Sequence, residues 1–504
     1  LFNRLFTWRY NPLYHSGALV TGCLVILCVT GLYLLLFYRI GSPYASVERI
    51  SEQAFTGRWI RTLHRYVSDL AIVAALIHAL RMGIQDRAWG PRALAWVSGV
   101  ILFAVFLMCG WTGFVMVWDG QAQILAAEGA RLLDVLPIFS EPIARTFVGE
   151  RAMPRAFFFL NLFAHIAIPV GILLILLIHV SRLARSDLLP PRPLLWGMTG
   201  GAALVSILWP ARLGPEADLL TVPAEISLDV FYNFWLPFSR LVPAGVVWAG
   251  FLGAFGLAFA VPRFTRRKGE AAPPPSYVHP RYCTGCEQCY HDCPYEAISM
   301  VPRDDGRAGI IGLVDPSKCV SCGICAGSCA PMGVGPAGRT GRDQLTEVKS
   351  FIDRVRPGGA DVVLVACSRG ATRGAGDSFN GAPILSVSCA GSVHTSVIEY
   401  LVRAGAGGVM VAACPPRDCW NREGVKWLEE RIYNQREAEL KDRVDRRHVR
   451  VQYAAEQEKH TLTQAIDRFR AQVRSLEGVL AEKAIDIDTT CEPPTVSVIE
   501  EVGP

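Results

Sequence analysis

The sequence lacks a strong charge of either sign: 50 lysines and arginines stand against 45 aspartates and glutamates, leaving +5 over 504 residues. So small an excess excludes a nucleic-acid binder built on a basic surface, and the basic residues sit where membrane topology accounts for them. No cleavable secretory signal is apparent; because the chain opens on Leu1 and not on Met, a few preceding residues are expected. Charge is sparse altogether, 19% of residues, and the mean hydropathy of +0.28 is too high for an ordinary soluble protein. The scarcity is local: residues 1–262 carry long apolar runs, whereas 263–504 read as soluble. A disulfide framework is lacking too. Of the sixteen cysteines, eight fall in two tandem runs with metal-ligand spacing, which points to a reducing compartment.

Apolar segments suited to spanning a bilayer lie at about 16–38, 60–82, 94–118, 156–181, 194–209 and 241–261, the fifth being the shortest. Six spans return both ends to one side. Arg4, Arg9, Arg87, Arg92, Arg182, Arg185, Arg192, Arg263, Arg266, Arg267 and Lys268 fall on that side, against Arg131, Arg145, Arg151 and Arg155 on the other. Basic residues prefer the cytoplasm, so both termini are expected there, with loops 119–155 and 210–240 outside. The expected setting is a prokaryotic cytoplasmic membrane.

Two of these segments repeat one spacing: His64 and His78, then His165 and His179, each pair fourteen residues apart. Fourteen residues make nearly four helical turns, so a pair shares one face within about 40° and is separated by about 21 Å. Two such helices side by side oppose their histidines twice, once near each side of the membrane. That is the geometry of two stacked bis-histidine haems; a lone membrane histidine would instead read as a core or pore residue. Arg61 and Arg81 stand three residues outside their histidines, where a guanidinium pairs with haem propionates or else snorkels to the interface. Gly17 with Gly31, and Gly99 with Gly113, repeat the fourteen-residue step on two neighbouring spans. They admit a planar macrocycle close to the backbone, or serve helix packing.

On these residues the first 262 positions resemble cytochrome b of the bc-type quinol oxidoreductases. The resemblance implies His64 with His165 around an outer haem and His78 with His179 around a cytoplasmic one. The stretch "TGFVMVW" from Thr112 to Trp118 resembles the start of that family's outer quinol-site loop, and Pro169 matches as well. "TVPAEISLDVFYNFWLPFSRLVP" (Thr221–Pro243) is similar to the loop bearing Pro-Glu-Trp-Tyr, which here reads Leu228, Asp229, Val230 and Phe231. Asp229 keeps a carboxylate able to accept a quinol proton, and Tyr232 lies one place beyond. The family's last two helices have no counterpart. Plastid-type relatives carry a cysteine for an extra covalent haem where this chain has His15, so none is expected. Cys23, Cys28 and Cys109 read as buried packing residues.

A basic, then Pro-rich linker at 263–280, with Pro273, Pro274 and Pro275, gives a semi-rigid spacer. Beyond it, "CTGCEQCYHDCP" from Cys283 and "CVSCGICAGSCAP" from Cys319 both read Cys-x2-Cys-x2-Cys-x3-Cys. In two-cluster ferredoxins the fourth cysteine of each run ligates the other cube. Cys283, Cys286, Cys289 and Cys329 should therefore hold one 4Fe–4S cluster, and Cys319, Cys322, Cys325 and Cys293 the second, zinc being the competing metal. Residues 281–335 resemble bacterial two-cluster ferredoxins. His279 and His291 nearby read as solvent or outer groups.

Three β-branched runs then end in cysteine: "DVVLVAC" at Cys367, "APILSVSC" at Cys389 and "GGVMVAAC" at Cys414, with Cys419 five residues on. Separated by helical stretches, they suggest a parallel sheet whose C-terminal ends share one rim. Four thiols there are the complement of a 2Fe–2S cluster, unless they are chance thiols in strands. The stretch "VSCAGSVHTSVIEYLVRAGAGGVMVAACPPRDCWNREG" is similar to the delta subunit of methyl-viologen-reducing hydrogenase. His394 reads as a helix-start residue. The tail, 433–504, carries an amphipathic helix near 455–482 that reads as packing.

The expected fold is multi-domain: an all-α transmembrane cytochrome b bundle (1–262), an α+β two-cluster ferredoxin (281–335), an α/β parallel-sheet iron–sulfur domain (355–432) and a helical or extended tail. The expected function is an electron-transfer subunit of a quinone/quinol oxidoreductase, with quinone as substrate and its iron–sulfur domains on the cytoplasmic side. The alternatives are a conducting anchor without quinone chemistry, and a bifurcating quinol oxidase working with an outer Rieske protein or cytochrome c. Expected partners are membrane lipid, quinone, other subunits of a respiratory complex, a cytoplasmic flavin or iron–sulfur protein of the heterodisulfide reductase kind, and a second copy in a homodimer.

Overall fold

Long apolar runs can satisfy their backbone in a bilayer only as helices, and the computed structural model of the chain builds its first half from them. It describes residues 2–85, 87–137, 141–147, 153–181, 187–221, 223, 229–265, 273–357, 362–421 and 423–489, in two units, Leu1–Ala272 and Pro273–Pro504. Arg151, Arg182, Arg185, Leu228, Arg266, Arg267 and Lys268 lie outside the described residues. Among the described residues, five helices are long and apolar enough to cross a membrane: Ser16–Phe37, Gly57–Ile84, Ala93–Val115, Arg155–Ser181 and Ala244–Thr265. The segment expected as the fifth of six spans forms Arg192–Leu208, only 17 residues. At about 1.5 Å per residue that is roughly 25 Å, short of a hydrocarbon core of about 30 Å.

Helix Ser16–Phe37 packs along Gly57–Ile84, and Ala93–Val115 along Arg155–Ser181. Leu63, Val67, Ala71, Ile72, Phe106 and Ile172 close the interior between them, with Met198 and Ala202 of the short helix packed against that core. Outward positions such as Leu173, Leu174 and Leu177 stay exposed, as a lipid-facing surface requires. Asp119 caps helix Gly120–Leu133 by accepting from Ala122 N at 3.0 Å, and this helix anchors the surrounding loops through Leu125 and Ala126.

The second unit opens with two small antiparallel pairs: β1 (Tyr277–Val278) with β4 (Val334–Gly335), and β2 (Ile298–Pro302) with β3 (Ile310–Val314). Helix Gly341–Val355 starts from a capping box, Thr340 with Asp343, and leads into a five-stranded sheet. Its strands are β5 (Val362–Cys367), β6 (Ser378–Phe379), β7 (Ala382–Val387), β8 (Gly408–Ala413) and β9 (Val449–Tyr453), in the order β6-β7-β5-β8-β9. All neighbours run parallel except β6, which is antiparallel to β7.

Strands β5 and β8 are buried along their whole length because helices cover both faces. Val363, Val365, Val409 and Val411 meet Val348, Ile398, Leu401 and Leu428 on one side. Val362, Leu364 and Met410 meet Leu462, Ile466, Phe469 and Val473 on the other. Residues past 432, read from sequence as a tail, thus supply the fifth strand and the helix Lys459–Thr489 that covers the second face. Phe469 is 1% exposed on that helix. Replacing it with alanine is expected to lower unfolding stability of the second unit by about 3–5 kcal/mol, measured by denaturant titration.

Candidate metal centres

The bundle brings its four histidines together in two facing pairs. His64 and His165 have ring centres 6.4 Å apart with planes at 61°; for His78 and His179 the values are 6.5 Å and 66°. Metal–nitrogen bonds of about 2.0 Å on both sides, plus about 1.1 Å from each nitrogen to its ring centre, sum to about 6.2 Å. Each pair therefore leaves the gap that one bis-ligated metal fills.

The tautomers agree with that use. Thr30 Oγ1 lies 2.8 Å from His64 Nδ1 and gives its own proton to Ile26 O at 2.8 Å, so the ring nitrogen must be the donor. Thr112 does the same for His165 (2.9 Å) while donating to Cys109 O, and Ser98 for His179 (3.1 Å) while donating to Leu94 O. Ser16 Oγ stands 3.2 Å from His78 Nδ1. With Nδ1 protonated in His64, His165 and His179, Nε2 of those rings keeps its lone pair for a metal.

Each hydroxyl is followed directly by one of the paired glycines. A Cβ on Gly17 would come 3.0 Å from His78 Cε1, on Gly31 3.3 Å from His64, on Gly99 3.2 Å from His179 and on Gly113 2.9 Å from His165. The glycines therefore admit the imidazole edge itself. The four hydroxyl residues escaped the sequence reading, although Ser16, Thr30, Ser98 and Thr112 repeat the same fourteen-residue step. Gly99→Val is expected to push His179 off its axis and lower the b-type haem content, measured by optical difference spectra.

Arg61 Nη1 donates to Ala211 O at 2.9 Å, and Arg81 Nη1 to Leu13 O at 2.7 Å, tying loops to the helix ends. Cys23 is buried with its sulfur 3.7 Å from Met198 Sδ, and Cys109 Sγ is 3.8 Å from His165 Nδ1. Cys28, expected to be buried, is exposed on the outside of its helix. His15 is buried with Nε2 3.0 Å from Arg9 O.

Asp229 and Tyr232 meet a charged cluster beside His64. Asp229 pairs with Arg65 and accepts from Phe231 N at 2.9 Å and Tyr232 N at 2.6 Å, while Arg65 also pairs with Asp69 at 2.5 Å. The Tyr232 hydroxyl donates to Ser68 O at 3.1 Å, and its ring lies where a Cβ on Gly110 would be 1.9 Å away. Both polar ends are thus engaged by the chain itself.

In the second unit the two cysteine runs fold alike. Gly285 and Ser321, then Glu287 and Gly323, adopt positive φ at matching places, curling each loop around its thiols. Cys283, Cys286, Cys289 and Cys329 line one pocket. Cys293, Cys319, Cys322 and Cys325 line another. Among the described residues no three His, Cys, Asp or Glu side chains close to the spacing of a single ion; these thiols stand around voids, as a cluster needs. Backbone N–H groups of Ser276, Ala297 and Gly333 donate to Cys319, Cys293 and Cys329 sulfurs at 3.2–3.3 Å. Burial pushes the Cys325 thiol up to about 12 and raises Cys289 and Cys322 as well. A positive metal core would reverse that and hold them as thiolates.

Cys367 ends β5, Cys414 follows β8 directly, and Cys389 lies two residues past β7, so parallel strands bring them to one rim. All four thiols, Cys419 included, are 3–6% exposed. Cys414 Sγ donates to Cys367 Sγ at 3.8 Å, and Cys419 hydrogen-bonds Cys389. Two thiolates on one tetrahedral metal with bonds of about 2.3 Å stand about 3.8 Å apart, the spacing of the Cys367–Cys414 pair. The Cys419 hydrogen bond, with donors from Asn421, Gly391 and Ser392, holds the Cys389 thiol below its usual pKa against the opposing effect of burial. His394 starts helix Thr395–Arg403: its Nδ1 accepts from Ser396 N, and Nε2 therefore donates to Cys329 O at 3.2 Å. Burial, and then the nearby Arg431 charge, hold its pKa down to about 4, so it is neutral.

Three family models match successive parts of the chain: cytochrome b/b6/petB over residues 4–186, a 4Fe–4S dicluster domain over 282–333, and the methyl-viologen-reducing hydrogenase delta subunit over 362–477. The three matches agree with the fusion of three parts expected from the sequence. The cytochrome b subunit of menaquinol:cytochrome c reductase from Geobacillus thermodenitrificans is 26% identical over 195 residues, 36% of this chain and 86% of that protein. Cytochrome b6 of Heliobacterium modesticaldum is 27% identical over 183 residues, 35% of this chain and 86% of its own length. A chain of a hyperthermophilic respiratory complex III covers 50% of this one and 74% of its own length at 18% identity, with a TM-score of 0.38, too slight a likeness to bear on the fold.

Proposed function

We propose that the chain is the membrane electron-transfer subunit of a quinone-linked oxidoreductase complex, exchanging electrons between the quinone pool and a cytoplasmic redox partner. The observation that carries this reading is the two opposed histidine pairs, with ring centres 6.4 and 6.5 Å apart. In this reading His64, His165, His78 and His179 hold two b-type haems. Cys283, Cys286, Cys289 and Cys329 hold one 4Fe–4S cluster, and Cys293, Cys319, Cys322 and Cys325 the other. Cys367, Cys389, Cys414 and Cys419 hold a 2Fe–2S cluster. Bound there, these groups supply one-electron steps. The chain's own residues fix the ligands: hydroxyls orient the imidazoles, backbone N–H groups support the thiolates, and apolar walls keep water out.

The relatives' names carry quinol chemistry into this reading, and Asp229 with Tyr232 remains the candidate outer site. The cytoplasmic partner would be a flavin or iron–sulfur protein docking at the delta-like domain, on analogy with that hydrogenase subunit. The arginine distribution supports a cytoplasmic position for the iron–sulfur domains in this reading. A quinol analogue added to purified complex is expected to reduce the b haems; indifference to every quinol tried would sink the proposal.

One observation favours a second reading, a conducting anchor without quinone chemistry: the Asp229 carboxylate is already held by Arg65 and two backbone N–H groups. Asp229→Ala separates the two. Quinone chemistry at this place predicts at least a tenfold loss of quinol-driven haem reduction with haem content kept, on the order of one lost charged hydrogen bond. Unchanged turnover would favour the anchor.

A further inference from the structure

Tyr295 follows Cys293 by two residues and lines the second thiol cavity. Its hydroxyl donates to Asn421 Oδ1 at 3.2 Å. Asn421 is 6% exposed, and its side chain also hydrogen-bonds the Cys389 thiol. Since Oδ1 accepts from tyrosine, the amide nitrogen is the group that faces the sulfur. A short polar path thus runs from the wall of the second cavity to one thiol of the four-thiol site.

The backbone follows the same line. Where a Cβ on Gly323 would meet Ser392 Cβ at 3.0 Å, one on Gly327 would meet Gly391 O at 2.8 Å, and one on Gly424 would meet Cys389 Sγ at 2.9 Å. Missing side chains at these glycines let the loop after Cys322 lie directly on the loop after Cys389. Arg431, fully buried, spans the seam by donating to Ser328 Oγ at 3.1 Å and Gly391 O at 2.9 Å. Asp292 completes it, accepting from Ser328 at 2.6 Å and from Arg436 at 2.5 Å. Buried polar groups linked in this way favour one arrangement, although Arg431 Nε and Arg436 Nε are left without a hydrogen-bond partner. The first cavity also touches this domain, through His394, but that contact ends on the carbonyl of Cys329 and leads to a helix start, not to a thiol.

We propose that the site of Cys293, Cys319, Cys322 and Cys325, and not that of Cys283, Cys286, Cys289 and Cys329, exchanges electrons with the four-thiol site, and that Tyr295 and Asn421 are the positioning residues that bridge them. This rests on iron being held at both sites, as proposed above. One electron passes per event: the donor centre is oxidised by one unit and the acceptor reduced by one. No bond or proton changes place.

The test uses the full-length, cluster-loaded protein, poised so that the four-thiol centre and a cubane are both paramagnetic, with spin relaxation read by electron paramagnetic resonance. Relaxation enhancement of the four-thiol signal is expected to vanish in Cys322→Ser and to survive in Cys286→Ser; the opposite pattern overturns the inference. Tyr295→Phe keeps the ring and the iron and serves if the cysteine variants do not fold. It is expected to slow electron exchange between the two sites by about fivefold and to shift the four-thiol midpoint potential, the effect of one lost hydrogen bond. An unaltered rate and potential in that variant remove the bridge. Absence of any iron–sulfur signal from the four-thiol site in unmodified protein would overturn the underlying reading of that site and this inference with it.

Discussion

His78→Ala is expected to remove one b-type haem and leave the other, halving the absorbance counted as pyridine haemochrome. His179→Ala should do the same, and the double variant should lose no more than either single one, because both side chains serve one gap of 6.5 Å. His64→Ala and His165→Ala should act on the other haem alone. Combining His78→Ala with His64→Ala should therefore leave none. The separation follows from the helix: about 21 Å lies between histidines fourteen residues apart, so the two sites share walls but no ligands. Loss of both haems from a single substitution, with the protein still folded by circular dichroism, would contradict two independent sites.

Cys329→Ser is expected to abolish one 4Fe–4S cluster, the one whose other thiols come from the first cysteine run. Cys329 belongs by sequence to the second run, yet it lines the cavity of Cys283, Cys286 and Cys289. Cys293, of the first run, lines the cavity of Cys319, Cys322 and Cys325. Pairs of substitutions separate crossed from uncrossed ligation. Cys329→Ser with Cys283→Ser should cost a single cluster, measured as iron and sulfide per chain, whereas Cys329→Ser with Cys319→Ser should cost both. Uncrossed ligation requires the reverse outcome. Because these thiols lie largely buried and burial opposes their ionisation, an unmetallated site is expected to relax. Cluster loss should therefore also lower the melting temperature of the second unit.

Much of this was legible before any coordinates. The histidine step, the glycine step and the two cysteine runs are local spacings, and each places chemistry on one helix or one loop whatever surrounds it. The apolar runs marked the membrane helices for the same reason. The short run at 194–209 was harder: its composition reads as a span, but its helix ends at Leu208, where the turn toward Pro210 begins. The strand Val449–Tyr453 was missed because it is five residues long and owes its place to parallel pairing with β8, a contact made across some forty intervening residues. Asp229 was singled out as a proton acceptor. That Arg65 holds it, along with two backbone N–H groups, is a relation between distant segments which no local pattern carries.

By itself the sequence determined which side chains could bind metal and how far apart they stand along each element, since helix rise and loop length convert spacing directly into distance. Tertiary structure alone decided which hydroxyl orients each imidazole and which cavity wall reaches Cys389 through Tyr295 and Asn421. These are contacts between segments far apart in the chain. Their free energy comes from burying and pairing groups that meet only once the fold has closed.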